Sequence, residues 1–220
     1  MNNKEYIENL ERIISTIIQP IKNIPFNVVI RCLTQNSANV LDFDKSNTTH
    51  QKCLEYLKSI GEKVLLKTKT SPIVSSRPNE AGNKIENIVK EVADNIENIS
   101  VTKPESSKNK SVGYPDFEIV VDNQSFYLEC KTYNKKTIYS SNRSFFLSPS
   151  MDFKVTKSTV HFLISFELSS DNNKYTAVSF KILSIEKMEC DLKHEFNSSN
   201  KKMYSNSNGV NILYSSGESN

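Results

Sequence analysis

The stretch that decides the fold is Tyr114-Pro115-Asp116-Phe117-Glu118-Ile119-Val120-Val121-Asp122-Asn123-Gln124-Ser125-Phe126-Tyr127-Leu128-Glu129-Cys130-Lys131. Its β-branched and aromatic residues predict two strands, over residues 116–121 and 125–132. Between them stands Asp122-Asn123, a pair that favours a tight two-residue turn. If the turn is these two residues, counting outward along both strands places Asp116 directly opposite Glu129.

This hairpin brings acidic groups together. Residues directly opposite each other in an antiparallel pair have Cβ atoms about 4.5–5.5 Å apart. Two carboxylates at that spacing repel each other unless a cation lies between them. Because side chains alternate along a strand, Glu129 and Lys131 share one face while Cys130 points to the other. Two acids with an adjacent amine suit Mg²⁺ and phosphodiester hydrolysis, since the metal activates water and the lysine orients it or stabilises the developing charge.

These residues resemble the PD-(D/E)XK nuclease superfamily, through Pro115-Asp116 and Glu129-Cys130-Lys131. The match continues into Lys131-Thr132-Tyr133-Asn134, as in the type II restriction endonucleases of that superfamily. A helix containing Gly82-Asn83-Lys84-Ile85-Glu86 precedes the hairpin and is similar to the family's Gly-x-x-x-Glu helix. By this resemblance the metal ligands would be Asp116, Glu129 and the Cys130 main-chain carbonyl, with Lys131 as the catalytic lysine and Glu86 as an accessory acid.

The resemblance implies a Mg²⁺-dependent type II restriction endonuclease that cuts double-stranded DNA at a short specific site. It also implies a homodimer for a palindromic site and a cognate DNA methyltransferase that protects the same site. One alternative is a repair or junction-resolving nuclease with the same core. Another is a noncatalytic DNA-binding domain, whose expected mark is the loss of an acid or of the lysine, and this sequence retains all of them.

Simpler interpretations of single residues stay open at this point. Asp116 could merely begin a strand, and Glu129 could form an exposed ion pair with Lys131. Glu86 could be an ordinary solvated helix residue, with Glu80 as the competing acid. A nucleophilic Cys130 is disfavoured because no positioned base is evident. A further residue, His161, lies inside a predicted strand and is interpreted as a core histidine.

The segment after Lys131 is strongly basic. Residues 131–157 hold six basic residues against a single Asp152, a net charge of +5. Interleaved Ser and Asn side chains can hydrogen-bond phosphates or base edges. The candidate DNA-binding residues are Arg77, Lys135, Lys136, Arg143, Ser144, Lys154 and Lys157. Arg77 and Arg143 are two of only four arginines in the chain and are the candidate guanine readers, because bidentate arginine is the commonest contact to that base.

The remaining pattern predicts an α/β (α+β) fold with a restriction-endonuclease-like core, in which a central mixed β-sheet is flanked by helices. We expect a single domain over residues 1–220 with a catalytic core over 78–185. Helices are predicted over residues 3–19, from Thr49 to Ile60 with Gly61 as the stop, and from Pro78 with Asn79 as the cap. Strands are predicted over 160–168 and 174–185, paired across 169–173, and residues 26–30 are a strand or buried segment. Loops are expected over 67–80, 100–113 and 134–158.

Composition excludes several classes of protein. The 220 residues are 37% hydrophobic and 24% charged, with a net charge of +3, which fits neither a disordered chain nor a polycation. The four cysteines are too far apart for a zinc motif, and the five glycines form no phosphate-binding loop. With no apolar run long enough for a membrane span and no targeting pattern, the expected location is the cytoplasm.

Overall fold

The computed structural model describes residues 3–104, 113–137, 147, 153–194 and 198–199. The chain forms two compact units. One is the continuous segment Ile24–Cys190, and the other combines Met1–Asn23 with Asp191–Asn220. The predicted hairpin belongs to the first unit.

Four α-helices lie in the described residues: α1 (Asn3–Ile17), α2 (Phe26–Leu33), α3 (Thr48–Thr70) and α4 (Pro78–Ala93). The strands are β1 (Ile21–Pro25), β2 (Val40–Leu41), β3 (Ile73–Val74), β4 (Ser100–Thr102), β5 (Phe117–Val121), β6 (Gln124–Tyr133), β7 (Thr159–Asp171), β8 (Lys174–Ser184) and β9 (Glu189–Leu192). A short 3₁₀ helix, Lys135–Thr137, follows β6 directly.

The main sheet has the strand order β3-β8-β7-β6-β5-β4, with β2 paired to the start of β7. β6 and β7 run parallel, whereas the other neighbours along this order run antiparallel. The long connection over residues 134–158 permits the parallel pairing, because parallel neighbours need a crossover rather than a tight turn. The predicted mixed central sheet flanked by helices is therefore confirmed.

The predicted hairpin is present as β5 and β6. Asp122 and Asn123 have φ angles of 48° and 64°, the left-handed pair that a two-residue type I′ turn requires. The register runs from Val121↔Gln124 to Phe117↔Leu128. The same kind of turn, at Asn172-Asn173 with φ of 47° and 62°, joins β7 to β8. The predicted five-residue connection over 169–173 was therefore too long. Strand pairing continues through Asp171, so only Asn172 and Asn173 form the turn.

Each face of the sheet is covered by helix. On one face, the inward residues of β5 and β6 pack with α3 and α4 in a core that includes Leu57, Ile85, Phe117 and Leu128. On the other face, α2 contributes Phe26 and Ile30 to a second core with Tyr114, Tyr127 and Val155. The strand alternative for residues 26–30 was wrong, since Phe26 begins α2, but their predicted burial is confirmed for Phe26 and Ile30.

The prediction that Gly61 ends a helix was wrong. Helix α3 begins after Asn47, whose side chain accepts hydrogen bonds from the Thr49 and His50 amides, and it continues through Gly61 to Thr70. A Cβ added at Gly61 would overlap the Phe180 ring on β8. The glycine therefore serves close helix-to-sheet packing rather than termination.

Replacing Gly61 by alanine is expected to destabilise the protein despite alanine's higher helix propensity. The overlap with Phe180 costs up to about 3 kcal/mol, and the propensity gain of about 1 kcal/mol is the smaller of the two effects. Chemical denaturation measures the difference. In a Phe180→Ala background the same substitution is expected to be neutral or stabilising, and an equal loss in both backgrounds would contradict this packing role.

Other boundaries also differ from expectation. The predicted loop over 67–80 holds the end of α3, β3 and the start of α4, and Ser100–Thr102 pairs with β5 as β4. Short edge strands carry too few residues for a period-two pattern to stand out in the sequence. Helix α4 begins at Pro78 as predicted, but Arg77 occupies the capping position and Asn79 lies inside the first turn.

Helix α1 confirms the predicted N-terminal helix, although it contains no buried residue. Several of its isoleucines are about half exposed, including Ile7, Ile13 and Ile17. Among the described residues, no helix is both long and apolar enough to cross a lipid bilayer.

Candidate active site

Asp116 lies at the start of the hairpin, between Pro115 and the first residue of β5. It comes one residue before Phe117, which pairs with Leu128, and so lies beside Glu129, as the predicted register requires. Its carboxylate oxygen Oδ2 accepts a hydrogen bond of 2.8 Å from the Cys130 amide. This bond fixes the Asp116 carboxylate against the strand that carries Glu129.

Glu129 is a buried acid in the middle of β6, with only 5% of its surface exposed. One carboxylate oxygen, Oε1, pairs with the Lys131 ammonium group. The other, Oε2, is buried and has no hydrogen-bond partner among the described residues. Burial raises the pKa of Glu129 to about 7, and the charge of Asp116 adds to the rise while Lys131 opposes it.

Glu86 reaches the same cluster from helix α4. Burial raises its pKa, and the nearby Asp116 charge raises it further, while Lys131 opposes the rise. One turn earlier, a Cβ at Gly82 would lie 3.1 Å from Thr132 Oγ1, so this glycine lets α4 approach β6 closely. The Gly-x-x-x-Glu spacing thus has a packing reason.

The competing acid, Glu80, lies at the exposed start of α4. It accepts a 3.0 Å hydrogen bond from Ser75 Oγ. Of the two acids that the sequence left open, Glu86 is the one whose charge acts on Glu129.

Lys131 and Cys130 point to opposite faces of β6, as predicted. For Lys131, burial lowers the pKa, but attraction to Glu129 and Asp116 outweighs it, so the pKa is raised and the side chain is a cation. Cys130 packs in the core shared with α3 and α4, and burial raises the pKa of its thiol well above the usual value. A thiol in that state is a poor nucleophile.

The donor set fits a hard divalent cation. A buried carboxylate oxygen without a partner is costly unless something compensates its charge, and among the residues that the structure describes Glu129 Oε2 is such an atom. Within the described ranges, no three His, Cys, Asp or Glu side chains converge to form a metal cage by themselves. Two carboxylates and a main-chain carbonyl nevertheless match Mg²⁺, which is usually bound through one or two carboxylates and keeps several waters.

Comparison with known proteins identifies the family of this chain. The family model described as the type II restriction enzyme MjaV family matches residues 18–207. The type II restriction enzyme MjaV of Methanocaldococcus jannaschii is 34% identical over 219 residues, covering 93% of this chain and 95% of that protein. The chain belongs to the type II restriction enzyme MjaV family. The expectation of a type II restriction enzyme, a site-specific deoxyribonuclease, is thereby confirmed.

In this member of the MjaV family, the predicted DNA-binding residues occupy different environments. Lys135 and Lys136 are exposed on the 3₁₀ helix directly after β6, and Arg77 is exposed at the start of α4. Lys157 donates to Glu118 Oε1 at 2.5 Å and to Ser125 Oγ at 3.2 Å. Arg143 and Ser144 lie outside the described residues.

Lys154 is not in an exposed loop, where its sequence context had suggested it. It is only 4% exposed, and its ammonium group donates to the Pro115 carbonyl. Burial lowers the pKa of Lys154, while the charges of Asp116 and Glu129 oppose the fall. The sequence could not reveal this position, because Lys154 lies 38 positions after Asp116 in the chain.

Sequence reasoning also missed a buried polar pair behind the site. The Tyr114 hydroxyl group lies 2.5 Å from His161 Nδ1, and the two rings stack. Burial lowers the pKa of His161 to about 3, so the ring is neutral. His161 is fully buried, which confirms the interpretation as a core histidine.

Proposed function

We propose that this chain is a Mg²⁺-dependent restriction endonuclease that hydrolyses phosphodiester bonds of double-stranded DNA at a short specific site. The observation that carries the proposal is the buried Oε2 of Glu129, which has no hydrogen-bond partner in the described part of the chain and lies next to Asp116 and beside the Lys131 ammonium group. Membership of the MjaV family supports it.

Asp116, Glu129 and the Cys130 main-chain carbonyl are the groups that would hold the metal. When bound, Mg²⁺ lowers the pKa of a coordinated water and neutralises charge on the phosphate under attack. The protein's part is to keep two carboxylates at one place, which the Cys130 amide and the β6 backbone accomplish.

Lys131 supplies a positive charge beside these carboxylates. Its raised pKa keeps the ammonium group protonated at neutral pH, so it acts as a hydrogen-bond donor. In that state it orients the attacking water and stabilises negative charge that develops on the phosphate oxygens. Glu86 is the accessory acid, close enough to Asp116 and Lys131 to influence their charge balance.

Cleavage of a large unmethylated DNA tests the proposal. With Mg²⁺ we expect discrete fragments, and with EDTA we expect intact DNA. A smear would indicate a nuclease without site specificity, and preferential cutting of branched over linear duplex would indicate a junction-resolving enzyme. Either result would contradict the proposal, as would the absence of cutting.

The basic residues after β6, apart from the buried Lys154, are the proposed DNA-contacting region, with Arg143 and Arg77 as guanine readers. We expect Arg143→Ala to keep most nonspecific DNA affinity but to lose about 1–3 kcal/mol of discrimination between the cognate site and a one-base variant. Competition binding with the two duplexes measures this difference, and Arg12→Ala is the control. Unchanged discrimination would remove Arg143 from the recognition set.

Two partners complete the proposal. A palindromic site calls for a two-fold homodimer in which each protomer cuts one strand. A DNA methyltransferase that modifies the same site would protect the host genome. Sedimentation with and without cognate duplex tests the dimer, and resistance of host DNA to cleavage tests the protection.

A further inference from the structure

The buried lysine behind the candidate site needs an explanation. Lys154 is 4% exposed and donates to the carbonyl oxygen of Pro115. Lysine carries a compact, strongly hydrated charge, so its burial is costly unless polar partners compensate. The partner here belongs to the residue immediately before Asp116.

The ammonium group also lies within electrostatic reach of the carboxylates. Asp116, Glu129 and Glu86 each favour its charged form, with Asp116 the strongest of the three. Lys131 compensates the negative charge of Glu129, and the Lys131 side chain is 41% exposed. Lys154 therefore adds positive charge to the same carboxylates from a side chain that is largely buried.

Two hydrogen bonds therefore restrain Asp116, one at its carboxylate and one at the carbonyl of the preceding residue. On one side the Cys130 amide holds its Oδ2 atom. On the other side Lys154 holds the preceding carbonyl and so limits movement of the main chain at Pro115. A metal site gains affinity when its ligands are already held in place.

We propose that Lys154 is a positioning residue for the Mg²⁺ site, which fixes the main chain before Asp116 and offsets carboxylate repulsion in the metal-free protein. This inference rests on the proposed function. It replaces the DNA contact that the sequence suggested for this lysine.

The test compares Lys154→Met with Lys157→Met, which removes an exposed lysine three residues away. Mg²⁺ affinity is measured by calorimetric titration without DNA, and DNA affinity is measured in EDTA over a range of salt concentrations. We expect Lys154→Met to weaken Mg²⁺ binding at least about 10-fold and to leave DNA affinity and its salt dependence unchanged. We expect Lys157→Met to leave Mg²⁺ affinity unchanged. Lys154→Arg, which keeps the charge, should restore part of the Mg²⁺ affinity.

The opposite pattern would overturn the inference. If Lys154→Met binds Mg²⁺ normally but loses DNA affinity, with a salt slope lower by about one, Lys154 is a DNA contact. Failure of the proposed function looks different, because the wild-type protein itself would then neither bind Mg²⁺ nor cut DNA.

Lysine labelling of the wild-type protein provides a test that needs no variant. We expect Lys154 to resist acylation with and without DNA, while Lys157 reacts in the free protein. A Lys154 that reacts readily and becomes protected by DNA would contradict the inference even if the methionine variant failed to fold.

Discussion

Lys131→Met is expected to reduce the rate of DNA cleavage by at least about 100- to 1000-fold, the range found when one preorganised donor to a developing charge is removed. The side chain keeps its length but loses the ammonium group that pairs with Glu129. Single-turnover cleavage at saturating Mg²⁺ measures the loss. Because one lysine contributes little to total DNA affinity, binding to cognate duplex in EDTA is expected to change only a few-fold.

The matched control is Lys52→Met. Lys52 also pairs with an acid, Asp122 at the hairpin turn, and its side chain is 56% exposed. We expect this variant to cut DNA at the wild-type rate. If Lys131→Met were equally active, the assignment of the catalytic lysine would be wrong.

Glu129→Gln is expected to abolish Mg²⁺-dependent cleavage and yet to stabilise the metal-free protein. The amide nearly preserves the side-chain shape but removes the charge that a metal needs. In the folded protein, burial raises the pKa of Glu129 from 4.5 to about 7, and the negative charge of Asp116 contributes to this rise. Its charged form is thus disfavoured in the folded state at pH 8.

The pH dependence follows from the direction of this shift. A carboxyl group with a raised pKa contributes stability that is fully present below about pH 4.5 and is lost as the pH rises through about 7. In EDTA at pH 8, we therefore expect Glu129→Gln to exceed wild type by about 1–3 kcal/mol in the free energy of unfolding. At pH 4 the difference should nearly vanish.

Denaturant titrations at both pH values, with and without Mg²⁺, measure these differences. Mg²⁺ is expected to stabilise the wild-type protein but not the variant. The control Glu55→Gln removes an exposed acid on α3 and should change stability by less than about 0.5 kcal/mol. A Glu129→Gln variant less stable than wild type in EDTA at pH 8 would contradict the claim that the charged form of Glu129 destabilises the metal-free fold.

The sequence predicted the hairpin well because its signals are local. Asp122-Asn123 fixes the turn, and the alternation of side chains then determines that Asp116 meets Glu129 and that Cys130 faces the core. The Gly82-to-Glu86 spacing is local in the same way.

Long-range packing explains what the sequence could not predict. Gly61 was interpreted as a helix stop, whereas Phe180, distant in sequence, explains it. Lys154 was grouped with surface lysines because its neighbours are basic and polar, and only the folded chain brings it to Pro115. Tyr114 and His161 likewise meet only in three dimensions.

We propose above that Glu129 Oε2 and Asp116 together hold a divalent cation. A crystal grown with Mn²⁺, which occupies similar oxygen sites and gives an anomalous signal, tests it most directly. We expect a single strong peak roughly 2 Å from both carboxylates and from the Cys130 carbonyl oxygen, and no such peak in Glu129→Gln crystals. A metal bound elsewhere, with Glu129 Oε2 left without a ligand, would contradict the account.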